Sequence, residues 1–111
     1  MRLRMAREFA HIRNDGRRLA KGCLIANWLL QPRDTHARLG VITSRKLGNA
    51  SIRARARRLL REAFRLHQHD LRQSVDLVLI ARSSIIGKKL AAVEGDLLSV
   101  LRQANLLQQT D

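Results

Sequence analysis

The sequence contains little of what a disulfide-stabilised, membrane-spanning or secreted protein needs. It has no tyrosine, one proline, one cysteine and only three aromatic residues. The single cysteine, Cys23, excludes an internal disulfide, and its apolar neighbours predict a small core residue. No apolar run approaches the roughly 18–20 residues that span a bilayer, and the N-terminus lacks the apolar stretch of a signal peptide. We therefore expect a soluble cytoplasmic protein without a membrane partner.

Residues that could carry chemistry are few and scattered. His67 and His69 point to different sides of a helix and have no evident third ligand, so a solvated helix end explains them more simply. No glycine-rich loop has phosphate-binding spacing, and zinc-finger spacing and the aromatic signature of an RNA-recognition motif are absent. We predict no catalytic residue and no metal site, so that any chemistry would be carried by a partner.

Positive charge is what the sequence has in excess. Basic residues number 22 and acidic residues nine, for a net charge of +13, and 18 of the basic residues are arginine. The charge is uneven, since residues 1–22 sum to +5, residues 45–65 to +7 and residues 83–111 to zero. An uneven distribution predicts one binding side and one scaffold side.

The densest basic stretch is a predicted helix, Ala50–His67, which follows a turn at residues 47–49. Gly48 suits the turn, and Asn49 or Ser51 can cap the helix. At about 100° per residue the helix has an apolar side and a cationic side. The apolar side contains Ile52, Ala56, Leu59, Leu60, Ala63 and Leu66. The cationic side contains Arg53, Arg57, Arg61 and Arg65, with Arg55 and Arg58 beside them.

This cationic side favours nucleic-acid binding. Like charges four residues apart destabilise a helix by a few tenths of a kcal/mol each, so a polyanion is the expected compensation. A run of charge is commonly no more than a solvated face, but here it has one sign and consists of arginine, which binds phosphate bidentately and stacks on bases. Ala54, within the cationic side, is small enough for a sugar-phosphate backbone to approach.

The remaining elements predict a two-layer α+β fold in a single domain, residues 1–111. Residues 2–15 form an amphipathic helix with Met5, Phe9 and Ile12 on one side. Phe9 either anchors the core or presents its ring to a base, and the spacing leaves both open. Strands are predicted at residues 22–30, 38–44 and 75–81, and a last helix at residues 88–105.

The predicted strands suggest an arrangement of the layers. We expect strands 22–30 and 38–44 to be antiparallel neighbours, and strand 75–81 is apolar enough to be central. Gly40 marks a bulge or a close approach of backbone. Alternation places Asn27 and Trp28 on opposite faces. Helices would cover one face of the sheet, and the other, bordered by the first helix, would be open to a ligand.

Residues 45–62, RKLGNASIRARARRLLRE, resemble the signature of the protein subunit of bacterial ribonuclease P. That signature reads K-K-x-G-N-A-V-x-R-N-R-x-K-R-x-x-R-E. The residues that match in identity or charge are Arg45, Lys46, Gly48, Asn49, Ala50, Arg53, Arg55, Arg57, Arg58, Arg61 and Glu62. Residues 6–9, 38–44 and 76–82 resemble further family segments, so the resemblance covers nearly the whole chain in order.

The resemblance implies a ribosomal-protein-like α-β-β-β-α-β-α fold with a left-handed β-α-β crossover around the arginine helix, against the usual right-handed rule. It also implies an endonuclease that removes the 5′ leader of precursor tRNA, in which the RNA subunit holds the catalytic Mg²⁺. The partners would be the catalytic RNA and the leader, and the protein itself would bind no cofactor. The RNA-binding residues would be Arg45, Lys46, Asn49, Arg53, Arg55, Arg57, Arg58, Arg61 and Arg65.

The resemblance also implies a leader cleft, at Phe9, Arg13, Asn27 and Ala54, where this chain departs from the family. Ala54 replaces a family asparagine, Arg13 stands where a second aromatic is frequent, and Asn27 stands where a strand aromatic would fall. Base stacking, worth about 1–3 kcal/mol per base, should therefore depend on Phe9 alone. Arg13 could substitute through charge and guanidinium stacking.

Two other functions stay open on the sequence. The first is a basic ribosomal or RNA-chaperone protein with no part in catalysis, which would bind RNA with the same dependence on salt. The second is a self-sufficient metal nuclease, which would cleave RNA without an RNA partner.

Overall fold

In the described part of the chain, three α-helices and four strands follow one another in the order that the family resemblance implies. The computed structural model describes Leu3, residues 6–32 and residues 35–108. Its elements are α1 (Ala6–Asp15), β1 (Arg17–Lys21), β2 (Leu24–Leu30), β3 (Arg38–Ile42), α2 (Ala50–His67), β4 (Val75–Ala81) and α3 (Leu90–Gln103). The α+β class and the α-β-β-β-α-β-α order are thereby confirmed. Met5, predicted on the first helix, lies outside the described residues.

The four strands form one sheet in the order β1-β2-β4-β3. β2 is antiparallel to both β1 and β4, whereas β3 is parallel to β4. The expectation that β2 and β3 are antiparallel neighbours was wrong, because β4 lies between them. The first five residues of β4 are all buried, so this strand takes the central position that it was predicted to have. α2 joins the parallel pair, and the left-handedness of this crossover stays a prediction.

The main core lies between the sheet and the helices α2 and α3. Leu24, Ala26 and Trp28 of β2 contribute to it, as do Leu60 of α2 and Leu97 of α3. The predicted alternation along β2 is confirmed, since Leu29 packs against a separate apolar cluster on the opposite face of the sheet. Cys23 is 1% exposed, which confirms that it is a core residue. Burial is the main cause that raises the pKa of its thiol to about 12.

The opposite face of the sheet carries α1 and a smaller apolar cluster. Leu3, Ile12 and Val78 are its buried members, with Phe9, Leu29 and Ile80 packed against them. Helices therefore lie on both faces, and the face that was expected to be open is covered in part by α1. This partial cover leaves part of that face accessible beside α1.

α2 begins and ends at the residues predicted for it. The side chain of Asn49 caps it, since Oδ1 accepts a hydrogen bond from the backbone N of Ile52 at 3.0 Å. The apolar side is rotated from the predicted one: Phe64 is buried, whereas Leu66 is 44% exposed. An aromatic ring has more apolar area to bury than a leucine, and α2 turns Phe64 toward the core.

Candidate nucleic-acid interface

The basic residues of α2 form two groups that differ in exposure. Arg55, Arg58 and Arg65 are exposed, whereas Arg53, Arg57 and Arg61 are half-buried. The rotation that buries Phe64 causes this, because on a helical wheel Phe64 falls between Arg53 and Arg57. Exposed positions also include Arg45 and Lys46 in the short turn before α2, the capping residue Asn49, and Ala54. The structure thus brings together all nine predicted RNA-binding residues on α2 and the turn before it.

Two of these arginines donate to neutral acceptors. Arg57 Nη1 donates to Thr43 Oγ1 at 2.8 Å, and Arg55 Nη2 donates to the backbone oxygen of Lys88 at 2.7 Å. Both acceptors are neutral, so both guanidinium charges stay available to an anion. Nε of Arg53 is buried and has no hydrogen-bond partner among the described residues.

Arg65 pairs with an acid of the same helix. Its Nη2 lies 2.5 Å from Oε1 of Glu62, three residues earlier on α2. The hydrogen bond lowers the pKa of Glu62 and raises the pKa of Arg65. Both side chains are well exposed, so solvent screens the pair and a phosphate can compete for the guanidinium.

A second surface lies beside α1, where one residue from each strand forms a row across the sheet. Ile42, Ile80, Ile25 and Ala20 are paired in register along β3, β4, β2 and β1. We call them the isoleucine row. They are half-buried or exposed, with Ile42 38% exposed, whereas Gly40, Val78 and Asn27 of the next row are buried. α1 therefore covers one row and leaves the other accessible. We call the space over the isoleucine row, along the side of α1, the groove.

α1 brings two of the predicted cleft residues to this groove. Phe9 is half-buried, with its ring against Gly40 and the small apolar cluster, so it is a core contact that keeps part of its ring accessible. Arg13 is exposed on the last turn of α1.

The other two predicted cleft residues are not exposed beside α1. Asn27 is 5% exposed, and its amide bonds to backbone oxygens within the protein, so it is not open to a ligand as a cleft residue would be. Ala54 is exposed on α2, which packs on the face of the sheet opposite α1. The structure thus separates Ala54 from Phe9 and Arg13, and it buries Asn27 beneath α1.

An ion-pair network that the sequence reasoning missed fixes the start of α1. Arg38 binds Asp76 twice, through Nε at 2.9 Å and Nη2 at 2.6 Å, and also contacts Glu8 of α1. Gln31 Nε2 donates to the same Asp76 carboxylate at 3.0 Å. The bond to Asp76 is the main cause that raises the pKa of Arg38 above its usual range. A lone acid in an apolar strand was the signal in the sequence, since such a buried carboxylate needs a cation.

His67, the last residue of α2, is more constrained than a solvated helix end would be, whereas His69 is exposed as expected. His67 Nδ1 lies 3.1 Å from Asp70 Oδ2, and Nε2 lies 2.8 Å from Glu94 Oε1 on α3. The bond to Glu94, with a smaller effect of Asp70, raises the pKa of His67. Within the described ranges, no group of three or more histidine, cysteine or acidic side chains is placed to hold a metal ion. None of the described helices is long and apolar enough to cross a membrane.

Known proteins match this chain along almost all of its length. The family model described as Ribonuclease P matches residues 1–105. A ribonuclease P protein component from Gluconacetobacter diazotrophicus is 38% identical over 106 residues, covering 95% of this chain and 91% of that relative. One from Clostridium botulinum is 33% identical over 106 residues, covering 95% of each.

Solved structures agree. The Staphylococcus aureus RNase P protein superposes with a TM-score of 0.84 at 27% identity, over 96% of this chain and 97% of that one. The RNase P protein from Thermotoga maritima superposes with a TM-score of 0.81 at 28% identity, over 93% of this chain and 96% of that one. The chain therefore belongs to the ribonuclease P family, as a protein component of the endoribonuclease that processes the 5′ ends of tRNA with an RNA subunit.

Proposed function

We propose that α2 and the turn before it bind the catalytic RNA, and that the groove beside α1 holds the 5′ leader of precursor tRNA. The observation that supports the first part most directly is the charge of α2. Its exposed arginines present positive charge along one helix. The acceptors bound by Arg55 and Arg57 are neutral and do not cancel that charge. Arginines that neutralise RNA phosphates release counterions, which favours association.

The groove suits a single strand rather than a duplex. Single-stranded nucleic acid is bound by apolar or aromatic platforms for the bases and by cations for the backbone. The isoleucine row provides an aliphatic platform, and Phe9 contributes a phenyl ring on the α1 side. Arg13 on α1 and Arg18 on β1, both exposed, supply charge at its borders.

The role of the protein is then positional and electrostatic. The RNA subunit holds the catalytic Mg²⁺, and the protein contributes no reacting group. By neutralising phosphates and holding the leader, it brings substrate and catalytic RNA together with less Mg²⁺ in solution. We place this activity in the cytoplasm.

The test is reconstitution with the cognate catalytic RNA and a leader-bearing precursor tRNA at low Mg²⁺. We expect the protein to increase correct 5′ cleavage, and to cleave nothing in the absence of the catalytic RNA. Binding of RNA without any increase would instead support a ribosomal or RNA-chaperone role. Cleavage by the protein alone would support a self-sufficient nuclease, and either result would contradict the proposal.

A further inference from the structure

The corner between α1 and β1 lies directly on the backbone of β2. α1 ends at Asp15 and β1 begins at Arg17, so Gly16 alone connects them. The backbone N of Gly16 donates to the oxygen of Ile12 at 2.8 Å. A Cβ on Gly16 would lie 2.3 Å from the backbone oxygen of Trp28. The corner is therefore tight and has no room for a side chain.

The side chain of Asn27 binds both arms of this corner. Its Nδ2 donates to the backbone oxygen of Ile12, in α1, at 3.1 Å and to that of Arg17, in β1, at 2.8 Å. Both partners are carbonyl oxygens, so the amide must present its NH₂ group to them. One nitrogen with two hydrogens satisfies both acceptors, which neither a carboxylate nor an apolar side chain can do. With Asn27 only 5% exposed, the contact is shielded from water.

α1 is thus fixed to the sheet at both ends by different strands. Near its start, Glu8 pairs with Arg38 of β3, and Phe9 packs on Gly40 of the same strand. Near its end, Asn27 of β2 holds the oxygen of Ile12, the residue before Arg13. Loss of the second attachment would let the last turn of α1 move relative to the isoleucine row.

We propose that Asn27 is a positioning residue for leader binding. It does not touch the leader. It holds the last turn of α1, and with it Arg13, at a fixed distance from the isoleucine row, and so sets the width of the groove. The inference rests on the proposed leader-binding function of that groove.

The first experiment tests the attachment without RNA. Asn27→Asp replaces the two donors with acceptors, and Asn14→Asp makes the same change at an exposed position of α1. Amide hydrogen exchange at Gly16 reports opening of the corner. We expect exchange about tenfold faster in Asn27→Asp, since two hydrogen bonds are lost, and unchanged in Asn14→Asp. Asn27→Ala removes the donors without adding charge, and it serves if the aspartate variant does not fold.

The second experiment tests the consequence for the leader in the reconstituted holoenzyme. Steady-state cleavage is measured on a precursor tRNA with a long leader and on one with a single-nucleotide leader. In the Asn27 variants, we expect KM for the long leader to rise about tenfold with little change in kcat. KM for the short leader should stay at its wild-type value, and Asn14→Asp should match the wild type on both substrates. A general loss of stability would affect both substrates alike.

The outcomes separate this inference from the function on which it rests. Unchanged exchange at Gly16 in both Asn27 variants would overturn the attachment. Faster exchange with an unchanged KM for the long leader would overturn the positioning role. If the wild-type protein did not itself distinguish the two leaders, leader binding would be contradicted along with the role of Asn27. Faster exchange together with a selective rise in KM supports the inference.

Discussion

The ring of Phe9 lies directly over the backbone of Gly40. A Cβ on Gly40 would be 2.5 Å from Cε1 and 2.7 Å from Cζ of that ring. The sequence left a bulge or a close approach of backbone open at Gly40, and the structure shows a close approach, made by a side chain of α1. Because Gly40 has no side chain, Phe9 and with it α1 can lie close to the sheet at this row. The neighbouring isoleucine row stays accessible.

Gly40→Ala should therefore displace Phe9 and destabilise the protein. Forcing a methyl group into a packed site costs typically about 1–3 kcal/mol, which is measured by urea unfolding. Gly95→Ala is the matched control, since Gly95 lies within α3 and a Cβ there would meet nothing within 4 Å. We expect Gly95→Ala to stabilise the protein by about 0.5–1 kcal/mol. Equal effects of the two substitutions would contradict the packing described here.

Removal of the Arg38 guanidinium should destabilise the fold strongly. In Arg38→Met the carboxylate of Asp76, 2% exposed, would lose its cation, and such a loss costs about 3–5 kcal/mol. Urea unfolding measures the effect. The double variant Arg38→Met with Asp76→Leu is the control, because it removes the buried charge as well, and we expect it to recover most of the lost stability. If the free energy of unfolding of Arg38→Met lay within about 1 kcal/mol of the wild-type value, the pair of Arg38 and Asp76 would be dispensable.

His67 should make stability depend on pH above the range of the carboxylates. Its pKa is raised in the folded state, mainly by the bond to Glu94. Its contribution is therefore complete below the unfolded pKa of about 6.5 and is lost as the pH rises through the folded pKa. We expect the free energy of unfolding of the wild type to exceed that of His67→Gln at pH 5.5, and the difference to shrink by pH 8.5.

The control for this effect is His69→Gln, since His69 is exposed and two residues away. It should keep the pH dependence of the wild type. A constant difference between the wild type and His67→Gln across this range would rule out the pairing of His67 with Glu94.

Elements with strong periodicity could be predicted from the sequence with accurate bounds. α2 and β4 begin and end where expected, because α2 has a capping asparagine and β4 is an apolar run with Asp76 as its one polar residue. β1 was not found from its residues, since four of its five side chains are exposed and polar or small. Its existence followed only from the family order. The predicted pairing of β3 with β2 was wrong. The two strands are close along the chain, but β4 lies between them in the sheet.

The candidate interface was predictable in composition but not in detail. The basic residues of α2 were identified, yet Phe64 decides which of them are exposed, and its effect appears only when the helix packs. On the cationic side predicted from the sequence, a change of Arg53, Arg57 and Arg61 together to Gln would leave the fold intact. All three are half-buried, so that variant should also lose stability. The role of Asn27 was not predictable either, because its two acceptors lie 10 and 15 residues away.

The most direct test of the central claim, that α2 binds RNA through its charge, is the salt dependence of affinity for the catalytic RNA. With about six phosphate contacts, the affinity of the wild type should fall by two to three orders of magnitude over a fourfold rise in salt. Arg58→Gln, on α2, should reduce the slope of log affinity against log salt by roughly the amount that one phosphate contact contributes. Arg102→Gln removes the same charge from an exposed position on α3 and should leave the slope unchanged. A wild-type slope near zero, or equal slopes for the two variants and the wild type, would contradict the account.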